Sequence, residues 1–392
     1  MTGGSHRLRV VQFALGMPYE PRLGGAEVFA ANLAQALDPA EFEVAVCGLW
    51  RMDSATERAQ IMALRERGIT CVTLMPYQPD LRAIRHAVGP LRHWLQDWRA
   101  DVLNTHAEYA DLVSLAARLT GAPAFVPIRT VHLLPEFDIV GRYRPAVANG
   151  LRRVYPQFSR RDIGVSQEIV DALNHKRFKR SAAQFIYNAI DPTAIRAKIS
   201  DKDIRAELGI APDAPCFGTV GRLEPQKGYA HFLDAAALVT KVLPNARFII
   251  IGSGEMEATL RAQTERLNVG QAVCFVGTRS DVPDLMRGMD VFVSSSLWEG
   301  LPTVLMEALA LGTPVVATDI AGSRELIVHE QTGLLAAPES PDALAEMMLR
   351  QYRARDQAEQ MVANGLQHIE QFSIQTVAQQ YATLYRGLVR DP

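Results

Sequence analysis

The sequence lacks the features that define several classes of protein. Its 392 residues hold only four cysteines, which are widely spaced and lie in or beside apolar segments: Cys47, Cys71, Cys216 and Cys274. This pattern favours packed free thiols over a disulfide or a zinc site. No stretch reaches the roughly 18 apolar residues of a membrane span. The start of the sequence also lacks the charged and then apolar layout of a signal peptide. We therefore expect a cytoplasmic protein.

A large excess of one charge is also missing, because 41 Lys and Arg residues face 43 Asp and Glu residues. The net charge of −2 argues against a nucleic-acid partner. The nine histidines include no His-Glu-x-x-His zinc pattern. Asp201 and Asp203, a close acidic pair, precede a helix-like stretch, which indicates a cap and first-turn charges. The sequence thus predicts no metal site.

What the sequence does contain is an alternation of short apolar runs with longer helical patterns, typical of parallel α/β layers. The predicted strands are Leu8–Leu15, Phe42–Cys47, Val72–Leu74, Asp101–Thr105, Ala124–Thr130, Asp162–Val165, Phe185–Tyr187, Cys216–Val220, Arg247–Ile251, Val273–Val276, Val291–Ser294, Pro314–Thr318 and Gly333–Ala336. The predicted helices include Glu27–Leu37, Ala59–Arg67, Leu81–Trp98, Tyr229–Val242 and Ile374–Leu388. A length of 392 residues exceeds the usual range of a single core, so we expect two doubly wound domains.

The boundary between the domains is predicted near the proline-bearing turn from Asn188 to Pro192. The first domain spans 1–188 and the second 189–373. In open α/β sheets, ligands bind at the carboxyl ends of the strands. Polar groups that follow predicted strands are therefore the candidate ligand contacts.

The most informative stretch follows the strand Val291–Ser294 and carries Glu299 and Glu307, eight positions apart. Pro302 suits a helix start and Gly312 a helix end, so Glu299 lies in the entry loop and Glu307 about 7 Å of axial rise into the helix. Carboxylates are strong acceptors for vicinal hydroxyls, which a nucleotide sugar carries on its hexose and on its ribose. On charge alone, a solvated capping pair is the commoner interpretation.

Arg222 and Lys227 follow the buried strand Cys216–Val220 and precede a helix. A guanidinium and an ammonium at a strand's carboxyl end, beside a helix amino terminus, are typical of a diphosphate site. We therefore interpret this pair as a phosphate clamp.

With these motifs, the sequence resembles the retaining nucleotide-sugar glycosyltransferases of family 4, which have the GT-B fold. The resemblance covers nearly the whole chain and is carried by motifs in a fixed order: Gly24-Gly25-Ala26-Glu27, Gly221-Arg222 with Lys227-Gly228, the Glu299 to Glu307 spacing, Gly312-Thr313-Pro314 and Gly322-Ser323-Arg324-Glu325. It implies two Rossmann-like domains facing across a cleft. The first would serve the acceptor and be completed by the C-terminal helix within 374–392, and the second would bind the nucleotide sugar.

The resemblance also assigns roles to individual residues. It implies His132, Arg222, Lys227 and Glu299 as catalytic residues. The expected substrate-binding residues are Gly24, Gly25, His106, Gly252, Gly254, Arg279, Gly300, Leu301, Pro302, Thr303, Glu307 and Ser323. Without the family, Gly24-Gly25 would be read as a turn and His132 as a packing residue, and His106 stays open between acceptor contact and a structural role.

The implied reaction transfers a sugar from a nucleoside diphosphate sugar to a glycan, lipid-linked or small-molecule acceptor, as in polysaccharide biosynthesis. It proceeds by metal-independent front-face attack and without a cofactor. A sugar-nucleotide epimerase and a catalytically silent nucleotide-sugar-binding subunit are the alternatives. The intact set of Arg222, Lys227, Glu299 and Glu307 argues against the silent subunit.

One segment of the chain is strongly basic: residues 142–180 carry ten Lys or Arg against three acidic residues. This basic segment could meet an anionic acceptor or the inner face of the plasma membrane, or be a solvated face. The amphipathic helix Leu81–Trp98 leaves a similar choice between packing on its own sheet and a peripheral membrane contact.

Overall fold

The computed structural model describes residues 7–18, 24–134, 145–175 and 182–390. The chain forms two compact units, unit 1 (Met1–Ala189 and Ile374–Pro392) and unit 2 (Ile190–Ser373). Each unit holds one parallel sheet with helices, so the predicted α/β class with two Rossmann-like domains is confirmed. The assignment of one domain to the acceptor and the other to the donor stays a prediction.

Unit 1 has a seven-stranded sheet of order β3-β2-β1-β4-β5-β6-β7. Its strands are β1 (Leu8–Ala14), β2 (Phe42–Arg51), β3 (Thr70–Pro76), β4 (Val102–Thr105), β5 (Val126–Val131), β6 (Arg161–Gly164) and β7 (Gln184–Phe185). The helices are α1 (Gly25–Ala36), α2 (Ala55–Glu66), α3 (Arg82–Trp98), α4 (Glu108–Leu119), α5 (Pro145–Phe158) and α6 (Gln167–Asn174), with the C-terminal helix α16 (Ile374–Arg390).

Alternation along the strands of unit 1 places apolar residues on both faces of the sheet. Val10 of β1 packs with α1 and α16, whereas Val11 and Phe13 pack with α3 and α4. Both faces of a parallel sheet are buried, which is why these strands are almost continuously apolar. The buried face of α3 belongs to this core, as the packing interpretation of Leu81–Trp98 predicted.

Unit 2 has a six-stranded sheet of order β10-β9-β8-β11-β12-β13. Its strands are β8 (Cys216–Val220), β9 (Arg247–Ile251), β10 (Val273–Gly277), β11 (Val291–Ser294), β12 (Val315–Thr318) and β13 (Leu334–Ala336). The helices are α7 (Pro192–Arg196), α8 (Ile204–Glu207), α9 (Tyr229–Val242), α10 (Glu257–Arg266), α11 (Val282–Arg287), α12 (Thr303–Leu311), α13 (Ala321–Arg324), α14 (Pro341–Arg353) and α15 (Arg355–His368), with 3₁₀ turns at Pro225–Lys227 and Ile369–Phe372.

Several local predictions can be checked against these elements. Asp203 caps α8 by accepting from the Ala206 N–H at 3.0 Å, which confirms its interpretation as a helix cap. Gly312 ends α12 in the left-handed conformation, as predicted. All four cysteines are free thiols, as expected. In the part of the chain that the structure describes, no helix is long and apolar enough to cross a membrane.

A buried ion pair joins the neighbouring strands β5 and β6 of the unit 1 sheet. Arg129 on β5 donates to Asp162 on β6, with Nη2 to Oδ2 at 2.7 Å, and the two side chains are 2% and 6% exposed. Asp111 on α4 is nearby, and burial raises its pKa to about 7 although the charge of Arg129 acts in the opposite direction. The only sign of this cluster in the sequence is the presence of charged residues, Arg129 and Asp162, inside predicted strands.

Candidate functional site

The loops that follow four neighbouring strands of unit 2 meet at the carboxyl edge of its sheet. The loop after β8 (221–228, the Lys227 loop) is held by the loop after β9, because the Leu223 N–H donates to the Ser253 carbonyl at 2.9 Å. It is also held by the loop after β11 (295–302, the Glu299 loop), because the Leu297 N–H donates to the Gln226 carbonyl at 2.8 Å. Parallel strands place these loops on one edge.

Close approach of backbones explains two glycines of this edge. Gly228 has φ of +62°, and a Cβ there would lie 2.1 Å from the Ser295 carbonyl oxygen. A Cβ on Gly322, after β12, would lie 2.7 Å from the Gly300 carbonyl oxygen. Only glycine permits either contact. Gly252 and Gly254, both predicted site residues, lie in the β9 loop against Gly221 and Leu223.

Lys227 and Glu299 form the centre of this edge. Lys227 Nζ lies 2.5 Å from Glu299 Oε1, and the side chains are 16% and 10% exposed. Two residues that sequence reasoning missed complete the contacts: Ser296 Oγ donates to Glu299 Oε1 at 3.0 Å, and Gln226 Nε2 donates to Oε2 at 3.2 Å. The arrangement presets both a cation and an oriented carboxylate.

Glu307 lies on the second turn of α12 and is half-buried. Burial raises the pKa of its carboxyl to about 7, while the positive charge of Lys198 acts in the opposite direction. No residue in the described ranges donates a hydrogen bond to it. A half-buried carboxyl group without protein donors is available to hydroxyl groups of a ligand. Gly300 to Thr303 form the entry to the same helix, with Pro302 as its cap residue.

The remaining predicted site residues of unit 2 differ in whether their side chains already have partners within the protein. Ser323 is fully buried, and its Oγ has no hydrogen-bond partner among the described residues. Arg222 is half-exposed and donates to Glu224 at 2.7 Å. The Arg279 guanidinium is taken up by Asp281 and Glu207, so only its backbone is left to meet a ligand.

In unit 1, His106 and His132 follow β4 and β5 and lie side by side. His106 Nδ1 is 3.2 Å from His132 Nε2, and Phe29 of α1 packs edge-on against both rings. Burial lowers the pKa of His132 to about 4 and that of His106 well below its usual range, and for His106 the neighbouring His132 acts in the same direction. Both rings are therefore neutral at neutral pH.

Behind the histidines lies a buried polar network that the sequence analysis missed. It joins the ends of three strands to the C-terminal helix α16 through Gln12, Asn104, Thr130, Tyr381 and Tyr385. The available signal was the presence of Gln12 and Asn104 inside otherwise apolar strands. Buried polar side chains of this kind are normally hydrogen-bonded.

Gly24 and Gly25 open α1. The Gly24 N–H donates to Glu27 Oε2 at 2.9 Å, so this donor is used within the helix cap. The N–H groups of the first helical turn have no intrahelical acceptor and remain as candidates for a ligand.

A cavity of about 840 Å³ lies elsewhere in unit 1, beside the amino ends of β6 and β7 and against α16. Arg160 and Arg161 line it together with uncharged polar residues of α16 such as Gln379, Gln380 and Thr383. Arg161 Nε is buried and has no hydrogen-bond partner in the described ranges. The basic segment is thus divided, because Arg152 and Arg153 lie on α5 and do not line this cavity.

Within the described residues, no three His, Cys, Asp or Glu side chains are grouped as metal ligands.

Comparison with known proteins gives two family matches. The family model for "Glycosyl transferases group 1" matches residues 200–368, and that for "Glycosyltransferase Family 4" matches residues 23–194.

Individual relatives agree with these matches. The chain is 28% identical over 345 residues to the lipopolysaccharide core biosynthesis mannosyltransferase LpsB of Rhizobium meliloti, covering 83% of this chain and 95% of that one. It is 28% identical over 263 residues to UDP-Gal:alpha-D-GlcNAc-diphosphoundecaprenol alpha-1,3-galactosyltransferase of Escherichia coli, covering 65% of this chain and 67% of that one. The structure of Anabaena Alr3699/HepE in complex with UDP-glucose shares its fold, with a TM-score of 0.79, 23% identity and coverage of 96% and 99%.

Proposed function

This chain belongs to the glycosyltransferases with the GT-B fold, and we propose that it transfers a glycosyl group from a nucleoside diphosphate sugar with retention of the anomeric configuration. The proposed acceptor is a glycan, a lipid-linked sugar or a small molecule. The Anabaena structure contains UDP-glucose, and two relatives are named for lipopolysaccharide or undecaprenol-linked substrates, which supports a donor and acceptors of this chemical class.

The observation that carries the proposal is the Lys227–Glu299 pair, which is followed along the chain by the carboxylate of Glu307 on α12. A diphosphate needs positive charge, and two diols need carboxylate acceptors. The carboxyl edge of the unit 2 sheet supplies both kinds of group. Arg222 is half-exposed on the Lys227 loop, and the buried hydroxyl of Ser323 lies in α13, after β12. In this assignment Glu299 orients the transferred hexose and Glu307 binds the ribose.

The proposed mechanism is front-face attack. The departing diphosphate accepts the proton of the attacking hydroxyl, and the protein stabilises the negative charge that develops on it. Lys227 and Arg222 supply fixed positive charge for this purpose, so the proposal needs neither a divalent ion nor a cofactor. Double displacement would instead need a nucleophilic carboxylate about 5 Å from a second one.

The test begins with a thermal-shift screen of nucleoside diphosphates and their sugars. A ligand at about 100 times its dissociation constant should stabilise the protein by roughly 2.7 kcal/mol. The donor found is then offered to candidate acceptors in excess chelator, and the anomer of the product is read by NMR. A product of inverted configuration contradicts the retaining mechanism. Activity that is lost in chelator and restored by magnesium contradicts metal independence.

Glu307 should make nucleotide binding depend on pH. Its carboxyl has a pKa of about 7 in the free protein and must lose its proton to accept both hydroxyl hydrogens of a ribose. Affinity for the nucleoside diphosphate should therefore rise with pH and level off above 7, with a slope approaching tenfold per pH unit well below 7. Titration calorimetry between pH 5.5 and 8 measures it. Glu307→Gln should bind more weakly and show a shallower profile, in which only the terminal phosphate of the ligand titrates, at about pH 6. A wild-type slope retained in that variant would contradict the assignment.

The cavity beside α16 lies at the amino ends of β6 and β7, whereas the histidines follow β4 and β5 at the carboxyl edge of the sheet. We therefore propose that this cavity attracts an anionic group of the acceptor that is remote from the reacting hydroxyl. Arg160→Gln with Arg161→Gln should raise the acceptor KM by about threefold to tenfold at low salt, because exposed charges interact weakly and are screened within about 8–10 Å at physiological ionic strength. Donor affinity should not change. Arg152→Gln with Arg153→Gln is the matched control, since it removes the same charge outside the cavity. Equal effects of the two double variants would indicate a diffuse basic surface instead.

A further inference from the structure

The polar network behind the histidines fixes the orientation of two side-chain amides. Asn104 Nδ2 lies 3.1 Å from Gln12 Oε1 and 3.1 Å from Tyr385 Oη, and Gln12 Nε2 lies 3.1 Å from the same phenolic oxygen. Exchanging the oxygen and nitrogen of either amide alone would place nitrogen against nitrogen or oxygen against oxygen in the contact between Gln12 and Asn104. Exchanging them in both amides would place two carbonyl oxygens against the Tyr385 hydroxyl, which has only one hydrogen to donate. The orientation with Gln12 Oε1 toward His106 is the one that gives each of these contacts a hydrogen.

The protonated nitrogen of His106 follows from that orientation. His106 Nε2 lies 2.8 Å from Gln12 Oε1, and a carbonyl oxygen has no hydrogen to donate. His106 Nε2 must therefore carry the proton. The ring is neutral because burial lowers its pKa, so Nδ1 has a lone pair and acts as an acceptor.

The proton position on His132 follows from that on His106. Its Nε2 lies 3.2 Å from the accepting His106 Nδ1 and must be the donor. Since His132 is also neutral, its Nδ1 carries no hydrogen. This atom is buried and has no hydrogen-bond partner within the part of the chain that the structure describes. A buried acceptor without a donor is costly, and a bound substrate hydroxyl would supply the missing hydrogen.

We propose that His106, oriented by Gln12, is a positioning residue that holds His132 in the tautomer with a bare Nδ1, so that His132 accepts a hydrogen bond from a substrate hydroxyl. The functional half of this inference rests on the proposed glycosyl transfer, and the tautomer does not. A sugar that offers a carboxylate or ether oxygen at this position would place two acceptors together. The pair therefore selects a substrate with a hydroxyl there.

The tautomer can be measured without activity. The full chain is labelled with ¹⁵N-histidine, and the ring nitrogens are read by long-range ¹H–¹⁵N correlation near pH 7, with His132 assigned by the loss of its signals in His132→Gln. The expected spectrum shows a protonated Nε2 and an unprotonated Nδ1 for His132. A protonated Nδ1 in the wild-type protein overturns the proposal.

Two substitutions at His106 separate hydrogen bonding from packing. His106→Phe keeps an aromatic ring against Phe29 but cannot accept from His132, so a mixture of His132 tautomers is expected. His106→Asn loses the ring but offers a carbonyl oxygen at the position of Nδ1, so the wild-type tautomer should persist. An unchanged tautomer in His106→Phe overturns the relay.

Kinetics then test the functional half. Transfer should fall by about tenfold in kcat in His106→Phe, which corresponds to about 1.4 kcal/mol, and should recover toward wild type in His106→Asn. A role in packing alone predicts the opposite order, because phenylalanine fills the site better than asparagine. If the tautomer shifts but transfer does not, His132 does not meet the substrate in the proposed way, and the substrate contact is overturned while the relay stands.

Discussion

Replacing Lys227 with alanine should lower kcat by about 10²- to 10³-fold, the loss found when one preorganised donor is removed from a site of developing negative charge. Lys227 is 16% exposed and already faces Glu299 at 2.5 Å, so its charge is held in place before the donor arrives. Ser296 and Gln226 continue to donate to Glu299 in the variant, which limits the effect on folding. Steady-state kinetics with the cognate donor measures the change.

The matched control is Lys202→Ala. Lys202 also pairs with a carboxylate in unit 2, Asp281 at 2.9 Å, but it is 55% exposed, and it is linked to the predicted site residue Arg279 only through Asp281. Its removal should leave kcat within about twofold, since exposed ion pairs contribute little. A loss in Lys227→Ala no larger than in Lys202→Ala, with both variants folded by thermal unfolding, would refute the clamp.

Breaking the buried Arg129–Asp162 pair of the unit 1 sheet should have the largest effect on stability. Arg129→Met leaves Asp162, which is 6% exposed, without its countercharge, and Asp111 loses the cation that opposes the rise in its pKa. Removing one partner of a buried pair typically lowers the free energy of unfolding by about 3–5 kcal/mol. Urea denaturation followed by fluorescence measures the loss.

Two comparisons make this prediction specific. Arg9→Met breaks a pair with Glu43 in the same sheet, but those side chains are 34% and 32% exposed, so a loss below about 1 kcal/mol is expected. Arg129→Met combined with Asp162→Leu removes both charges and should recover much of the stability. If the double variant is as unstable as Arg129→Met, the loss comes from packing and not from the unpaired carboxylate.

The strands could be predicted where apolar runs are continuous. Cys216–Val220, Arg247–Ile251 and Val291–Ser294 have the same bounds in the structure as in the prediction. Helix α5 was missed, because Pro145 and Pro156 lie within it and Pro156 interrupts a helical pattern. The short edge strand β7 is shifted from its predicted position, since two residues carry little periodicity.

For the candidate site, the sequence could indicate residues but not their contacts. Lys227 and Glu299 were predicted as separate substrate contacts, 72 positions apart. Their ion pair depends on β11 lying next to β8 in the sheet, and no local pattern specifies which strands are neighbours. The same limit hid the network of Gln12 and Tyr385, whose residues are 373 positions apart. Which loops meet depends on the order of the strands in the sheet, and the local spacing of residues does not reveal that order.

Helix α16 gives the protein a particular order of assembly during synthesis. It completes the core of unit 1, yet it follows the whole of unit 2 in the chain. Unit 2 is continuous in sequence and can fold as soon as it leaves the ribosome, whereas unit 1 must wait for Tyr381 and Tyr385. Contacts across such long separations form slowly. The histidine pair that these tyrosines support is therefore the last part to reach its final arrangement. A chain truncated before α16 would have a folded unit 2 and an incompletely folded unit 1.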